Sequence, residues 1–304
     1  MAPMSRRSFL GAAAAAAAAS SFGPTASAPR ALAIDPIRRT RPSHLKLSIA
    51  AYSYRQFLTG DRPTMDLFDF VDLAADMALD AVEPTSYYFP ADADDAYLHR
   101  LRRHAFLLGL DISGTAIGND FCVVEGPERE KQLELARTWI DRAAALNAPV
   151  IRVFAGRTPK GDSEEAAVAR AIEGFKAVLP YAEQKGVMLA LENHGGITAT
   201  VDQMMRLIEG IDHPYFAVNL DTGNFHTEDP YGDLARIAPY AVNVQVKTEI
   251  APEGGPKQEA DLSRLVGILR DVKYSGYVVL EYEAAEDPMN AIPRHVERLR
   301  QLIG

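Results

Sequence analysis

Eight short apolar runs punctuate this chain, and segments with helical periodicity separate them. The runs fall at residues 47–51, 81–83, 110–114, 150–154, 187–192, 216–220, 242–246 and 277–280. Their starts lie roughly 30 residues apart, about the length of one strand–helix unit. Runs this short, apolar throughout and rich in Val, Ile and Leu, suit parallel strands buried on both faces. Between them, residues 65–77 place Leu67, Phe68, Phe70, Val71 and Ala74 on one helical face, and 130–146 does the same with Leu133, Ala136 and Ile140. Gly109 and Gly186 stand where helices stop before strands. Eight such units between residues 45 and 304 predict a single-domain α/β fold, a (β/α)8 TIM barrel. The competing doubly wound sheet usually follows its first strand with a glycine-rich phosphate turn. Here that position reads Ala51-Tyr52-Ser53-Tyr54-Arg55, without glycine.

The first 33 residues read differently. Ser5-Arg6-Arg7-Ser8-Phe9-Leu10 is a twin-arginine pattern, an alanine run from Ala12 to Ala19 follows, and Ala31-Leu32-Ala33 offers a small-residue cleavage site. Ala26-Ser27-Ala28 is a second such site, but Pro29 would follow the cut. Residues 1–33 are therefore read as a removable twin-arginine signal and 34–44 as a linker. The expected location is periplasmic or extracellular. No later stretch reaches the ~18 apolar residues of a membrane span. Losing the signal removes three arginines and no acid, which takes the formal charge from −9 to −12. Such an acidic body repels nucleic-acid phosphates and anionic lipid. The single cysteine, Cys122, excludes an intrachain disulfide and a Cys-based zinc site.

In a barrel of this kind the chemistry sits at the C-terminal ends of the strands. Those positions hold Glu83, Arg152, Glu192, Asp221, Gln245 with Lys247, and Glu281. Strands five, six and eight all end in a carboxylate. Converging carboxylates repel unless a proton or cation is shared, and a divalent metal is the simplest relief. Alternation along Val242-Asn243-Val244-Gln245-Val246-Lys247 puts Gln245 and Lys247 on one face, and Glu281 and Glu283 share another. His194 and His226 fall on the loops after strands five and six, and Tyr87-Tyr88-Phe89 just past strand two could stack on a sugar ring. Trp139, in helical context, reads as core.

The segments Leu191-Glu192-Asn193-His194-Gly195, Asp221-Thr222-Gly223-Asn224 and Leu280-Glu281, in that order, resemble the xylose isomerase-like barrel superfamily in its sugar phosphate isomerase and epimerase branch. The resemblance covers nearly all of residues 45–304. It implies a divalent-metal site made by Glu192, Asp221, Gln245 and Glu281, with Gln245 standing where the family has a histidine. Oxygen ligands of this sort suit Mn2+, or Mg2+ or Co2+, better than Zn2+. The implied activity is isomerisation or epimerisation of a sugar-like keto compound, by proton abstraction next to a carbonyl through an enediolate. Glu192 and Glu281 would act as base and acid, and the metal as Lewis acid. His194, Lys247, Asn224, His226, Glu83 and Arg152 would contact substrate. The same constellation could serve a keto-glycoside lyase or hydratase by β-elimination, or persist in a non-catalytic sugar-binding barrel. The zinc endonuclease barrels of the superfamily need many histidines and a basic groove, which this sequence lacks. Barrels of this type often pair, so a homo-oligomer is a further expectation.

Overall fold

The structure, a computed structural model, describes residues 34–304. The twin-arginine segment lies outside the described residues.

Eight strand positions close into a parallel barrel. They are β1 (Leu45–Ala50), β2 (Ala81–Glu83), β3, β4 (Val150–Val153), β5 (Met188–Glu192), β6 (Phe216–Asp221), β7 (Ala241–Val246) and β8 (Gly276–Leu280). β3 differs from the single run expected over 110–114. It consists of two short segments, Asp111–Ile112 and Thr115–Ala116. The first pairs with β2 and the second with β4, so the barrel closes through the break. Gly114 explains the break. A Cβ there would lie 2.9 Å from Val150 Cγ1 and 3.2 Å from the Val150 carbonyl oxygen, so only glycine lets the neighbouring strand approach. The remaining neighbours pair in parallel, and β1 pairs with β8 from Leu45↔Gly276 to Ile49↔Leu280.

Helices cover the outside: α1 (Leu67–Asp76), α2 (Asp95–Leu107), α3 (Pro127–Leu146), α4 (Glu164–Lys185), α5 (Val201–Gly210), α6 (Pro230–Ile237), α7 (Leu262–Asp271) and α8 (Pro288–Ile303). Their ends follow local chemistry. Asp66 and Thr200 close capping boxes on α1 and α5. Asn147 and Gly186 end α3 and α4 in the left-handed conformation. Alternate strand residues such as Ile49, Val82, Leu191, Val218, Val244 and Val278 are buried with helix residues such as Phe70, Leu101, Ile140, Phe175 and Leu207 in one core. Trp139 belongs to that core, packed edge-on against Phe89 at 5.1 Å. Phe89 is therefore core as well, and the aromatic trio past β2 offers only its tyrosines to the surface.

Residues 34–44, read as a linker, pack on the barrel. The Ile37 N–H donates to the Pro239 carbonyl, and Arg39 reaches the Ala241 carbonyl and lies over the Tyr274 ring.

The barrel interior is polar instead of the branched apolar filling usual for this fold. At the N-terminal end, Lys46 Nζ donates to the Tyr277 hydroxyl at 2.6 Å, which donates to Asp111. Higher up, the Ser48 and Ser113 hydroxyls meet at 2.8 Å. Higher still, Glu83, Asn219, Asn243 and Gln245 join across the barrel. This column leads up to the site. Among the described residues no helix is long and apolar enough to cross a membrane.

Candidate active site

β6 and β7 carry inward residues at every second position, so Asn219 and Asp221 share a face, as do Asn243, Gln245 and Lys247. The lower tier is an amide network. Asn243 Nδ2 donates to Glu83 Oε2 at 2.6 Å and to Asn219 Oδ1 at 2.8 Å. Gln245 Nε2 donates to Glu83 Oε1 at 2.6 Å, and Gln245 Oε1 accepts from Asn219 Nδ2 at 2.7 Å. Glu83 is fully buried, and burial pushes its carboxyl up to about 7 against the pull of the Gln245 and Asn243 amides. Glu83 thus faces the interior network and not open pocket. Gln245 is engaged at both ends of its amide.

The upper tier holds two clusters. In the first, Glu192 is buried and bracketed. Arg152 Nε lies 2.9 Å from Oε2, His194 Nδ1 lies 2.6 Å from Oε1, and Asn224 Nδ2 donates to Oε1 at 2.9 Å. Burial would raise the Glu192 carboxyl, but Arg152 and then His194 outweigh it and hold the group below its ordinary value. Arg152 also donates to the Ile117 carbonyl and lies over the Phe154 ring at 4.1 Å.

The second cluster surrounds Lys247. Its ammonium lies 2.6 Å from Glu281 Oε2, 3.0 Å from Glu283 Oε2 and 3.3 Å from Asp221 Oδ2. Burial disfavours that charge, yet Asp221, Glu281, Glu283 and Glu192 together raise the lysine well above its ordinary value. Asp221 is raised too, first by burial and then by Glu192 and Glu281. Its Oδ1 accepts from the Gly223 N–H, while its buried Oδ2 has no hydrogen-bond donor. Gly223 lets the lysine pass, because a Cβ there would lie 2.8 Å from Lys247 Cδ.

The structure therefore brings Glu192, Arg152, His194 and Asn224 together, and Asp221, Lys247 and Glu281 beside them. His226 stands apart at the rim, its Nδ1 paired with the Ala251 carbonyl at 3.0 Å. Sequence reasoning missed Asn193, Asn219 and Asn243. Asn193 brackets the Asp221 backbone, donating to its carbonyl at 2.9 Å and accepting from its N–H at 3.0 Å. The alternation that singled out Gln245 and Lys247 also marks Asn243 and Asn219, so that signal was present for two of the three.

Does this donor set fit a divalent metal? Five carboxyl groups (Glu83, Glu192, Asp221, Glu281 and the partly exposed Glu283) face two cations, Arg152 and Lys247. The acid excess and the all-oxygen donors fit a hard divalent cation, as does Asp221 Oδ2, which accepts no hydrogen bond and meets only the Lys247 ammonium at 3.3 Å. Among the described residues, however, no three His, Cys, Asp or Glu side chains are already grouped to hold one. The ammonium of Lys247 now neutralises Asp221 and Glu281, so a metal would have to displace it.

Comparison with known proteins agrees with this architecture. The sequence pattern described as Xylose isomerase-like TIM barrel matches residues 71–302. No curated protein matches the chain. Among solved structures, a D-psicose 3-epimerase with D-tagatose from Clostridium cellulolyticum superposes with a TM-score of 0.69 at 16% identity, over 85% of this chain and 99% of that one. The 3-keto-D-glucoside 4-epimerase YcjR from E. coli gives 0.63 at 17%, over 85% and 99%. A probable 3-DHS dehydratase from Bacillus anthracis gives 0.61 at 15%, over 85% and 98%. At these identities the likeness is one of fold. The pattern match spans most of the barrel, and the chain belongs to the xylose isomerase-like TIM barrel family.

Proposed function

We propose that this chain is a sugar isomerase or epimerase that moves a proton at a carbon next to a carbonyl. The observation that carries the reading is the pairing of two buried carboxylates, Glu192 and Glu281, each with its own internal cation, on β5 and β8 around Asp221. The two epimerases and the dehydratase among the structural neighbours support a reaction of this class.

The residues divide the work as follows. Glu192, kept ionised by Arg152 and His194, accepts the proton from the substrate carbon. His194 and Asn224 fix the orientation of its Oε1. Glu281, which must enter the step protonated, returns its proton to the opposite face for epimerisation or to the neighbouring carbon for isomerisation, and exchange with solvent then removes the proton from Glu192 and restores that of Glu281. Lys247 and Arg152 provide fixed positive charge for the oxyanion that develops when the carbon loses its proton. Asn193 pins Asp221, and the Glu83 network holds Gln245. Glu192, Asp221 and Glu281 would hold a divalent cation, with Mn2+ or Mg2+ suited to the oxygen donors. Gln245, its amide engaged by Glu83 and Asn219, serves the network and is left out of that set. When bound, the cation would supply Lewis-acid stabilisation of the same negative charge. If residues 1–33 act as the twin-arginine signal that their sequence resembles, the reaction takes place outside the cytoplasm, where unphosphorylated sugars and keto-glycosides are the expected substrates.

The test is turnover of keto-hexoses by the wild type, Glu192→Gln and Glu281→Gln. Loss of a general acid or base lowers kcat by ~100-fold or more. Unchanged kcat in both variants would remove the reading.

A further inference from the structure

Three consecutive apolar side chains at the end of α2 stand in water. Phe106, Leu107 and Leu108 are 77%, 61% and 43% exposed. Among the described residues, the other large exposed apolar side chains, Tyr87, Val124 and Met289, stand singly along the chain. Single exposed residues are ordinary, whereas a contiguous exposed cluster marks a contact surface.

The same half of the helix is basic. Residues 99–110 hold Arg100, Arg102 and Arg103 and no acid, in a chain whose formal charge is −9. Leu98, Leu101 and Ala105 are buried and face the core. The opposite face therefore places Arg103 one turn from both Phe106 and Leu107, and Arg102 one turn from Phe106. Arg100 lies over the Tyr97 ring at 5.7 Å, and Arg102 donates to the Ala145 carbonyl at 3.2 Å. The nearby acid Asp72 is taken by His104 at 2.6 Å. Among the described residues the three guanidinium groups form no ion pair. α2 returns the chain to Asp111 at the start of β3, where the Tyr277 hydroxyl meets it at the N-terminal end of the barrel. The patch thus lies at the end of the barrel opposite Glu192 and Glu281.

The charge and shape of the patch select its partner. A second copy fits poorly, because pairing about a two-fold axis sets one basic face against its own image. A groove on another protein fits poorly too. Successive helix residues point about 100° apart, so Phe106, Leu107 and Leu108 fan around the helix end and form no stripe. A fluid bilayer surface accepts such a fan, and lipid phosphates match the arginine forks. The acidic body opposes this only at range. At physiological salt its field fades within about 8 Å, so the local charge decides at contact.

We propose that α2 docks the protein on an anionic phospholipid bilayer, with Phe106, Leu107 and Leu108 at the boundary of the acyl chains and Arg100 and Arg103 on the headgroup phosphates. Docked in this way, the C-terminal strand ends face away from the bilayer and stay open to solution.

The experiment uses the full chain and vesicles of phosphatidylcholine, either alone or mixed with an equal part of phosphatidylglycerol. Co-sedimentation gives the partition coefficient. Residues 1–33 are common to wild type and variants, so differences between them read α2. Phosphatidylglycerol is expected to raise partitioning roughly tenfold. Phe106→Ser combined with Leu107→Ser should lower it by roughly tenfold or more. Arg100→Gln combined with Arg103→Gln should remove most of the gain from phosphatidylglycerol. All four side chains are exposed, so the variants are expected to melt like the wild type. Phe106→Trp supplies a local readout above the signal of the buried Trp139, and its emission should shift to the blue on phosphatidylglycerol vesicles. Equal binding by wild type and variants, or binding with no shift at position 106, would overturn the proposal. So would a lipid-free dimer, seen by sedimentation velocity, that the Phe106→Ser and Leu107→Ser pair splits, because the face would then join two copies of the chain.

Discussion

Lys247 Nζ sits 2.6 Å from Glu281 Oε2, in a place where both side chains are almost fully withdrawn from water. The ammonium also reaches Asp221 and Glu283, so one lysine neutralises carboxylates from β6 and the end of β8. An internal cation thus does part of what a bound metal would do, and a metal entering the cluster must compete with it.

Replacing Lys247 by Met exposes that competition. Removing one partner of a buried ion pair costs ~3–5 kcal/mol, because the remaining charges are left unpaired. Lys247→Met is expected to melt well below the wild type in metal-free buffer. Millimolar Mn2+ should restore the variant's Tm more than it raises that of the wild type. Calorimetry with and without Mn2+ checks this. A variant that melts like the wild type, or that ignores Mn2+, contradicts the charge argument.

Glu83 gives a pH dependence of stability. Its pKa stands at about 7 against an ordinary 4.5, with burial as the main cause. A carboxyl raised on folding stabilises fully below the unfolded pKa, and that contribution is lost as pH rises through the folded pKa. Between pH 4.5 and 8 the loss is ~3 kcal/mol. Glu83→Gln keeps the shape and removes the titration. Urea unfolding at pH 4.5 and 8 should show the wild type losing ~3 kcal/mol more than the variant over that interval. Other carboxylates titrate in both proteins, so the difference isolates Glu83. Equal pH slopes would contradict the assignment.

Much of this site was legible in the sequence. Apolar runs and their spacing located the strands, and strand ends located Glu192, Asp221 and Glu281. Alternation on β7 put Gln245 and Lys247 on one face. Three things were not legible, for physical reasons. Which carboxylate pairs with which cation depends on contacts between strands far apart in the chain, such as Arg152 with Glu192. The commitment of Gln245 to Glu83 crosses the barrel over a separation of 162 residues. The break in β3 follows from the approach of Val150 to Gly114, which no local pattern encodes.

Asn193 illustrates a role that side-chain chemistry alone does not announce. It makes two hydrogen bonds to the backbone of Asp221, both buried. Asn193→Ala leaves a buried N–H and a buried carbonyl without those partners, at ~1–3 kcal/mol for each unsatisfied group. A fall in Tm, together with a fall in kcat larger than any rise in KM, is expected from thermal melts and steady-state kinetics. An unchanged kcat would show that Asp221 needs no such anchor.

Arg152 cannot be replaced by lysine without loss. Its guanidinium meets Glu192 at 2.9 Å, donates to the Ile117 carbonyl and lies over Phe154. A lysine ammonium lacks the planar fork that serves these partners together. Arg152→Lys should lower kcat by roughly tenfold, in keeping with the loss of one charge-assisted hydrogen bond. Steady-state kinetics at wild-type level would show that positive charge alone suffices there.

The central claim is that Glu192 removes a carbon-bound proton next to a carbonyl. Its most direct test is proton NMR of keto-hexoses and keto-glycosides incubated with the protein in D2O, with and without Mn2+. The account predicts loss of one C–H signal next to the carbonyl with wild type, slowed by ~100-fold or more in Glu192→Gln. If no substrate exchanges that proton with the wild-type protein under either condition, or if Glu192→Gln exchanges it at the wild-type rate, the account is wrong.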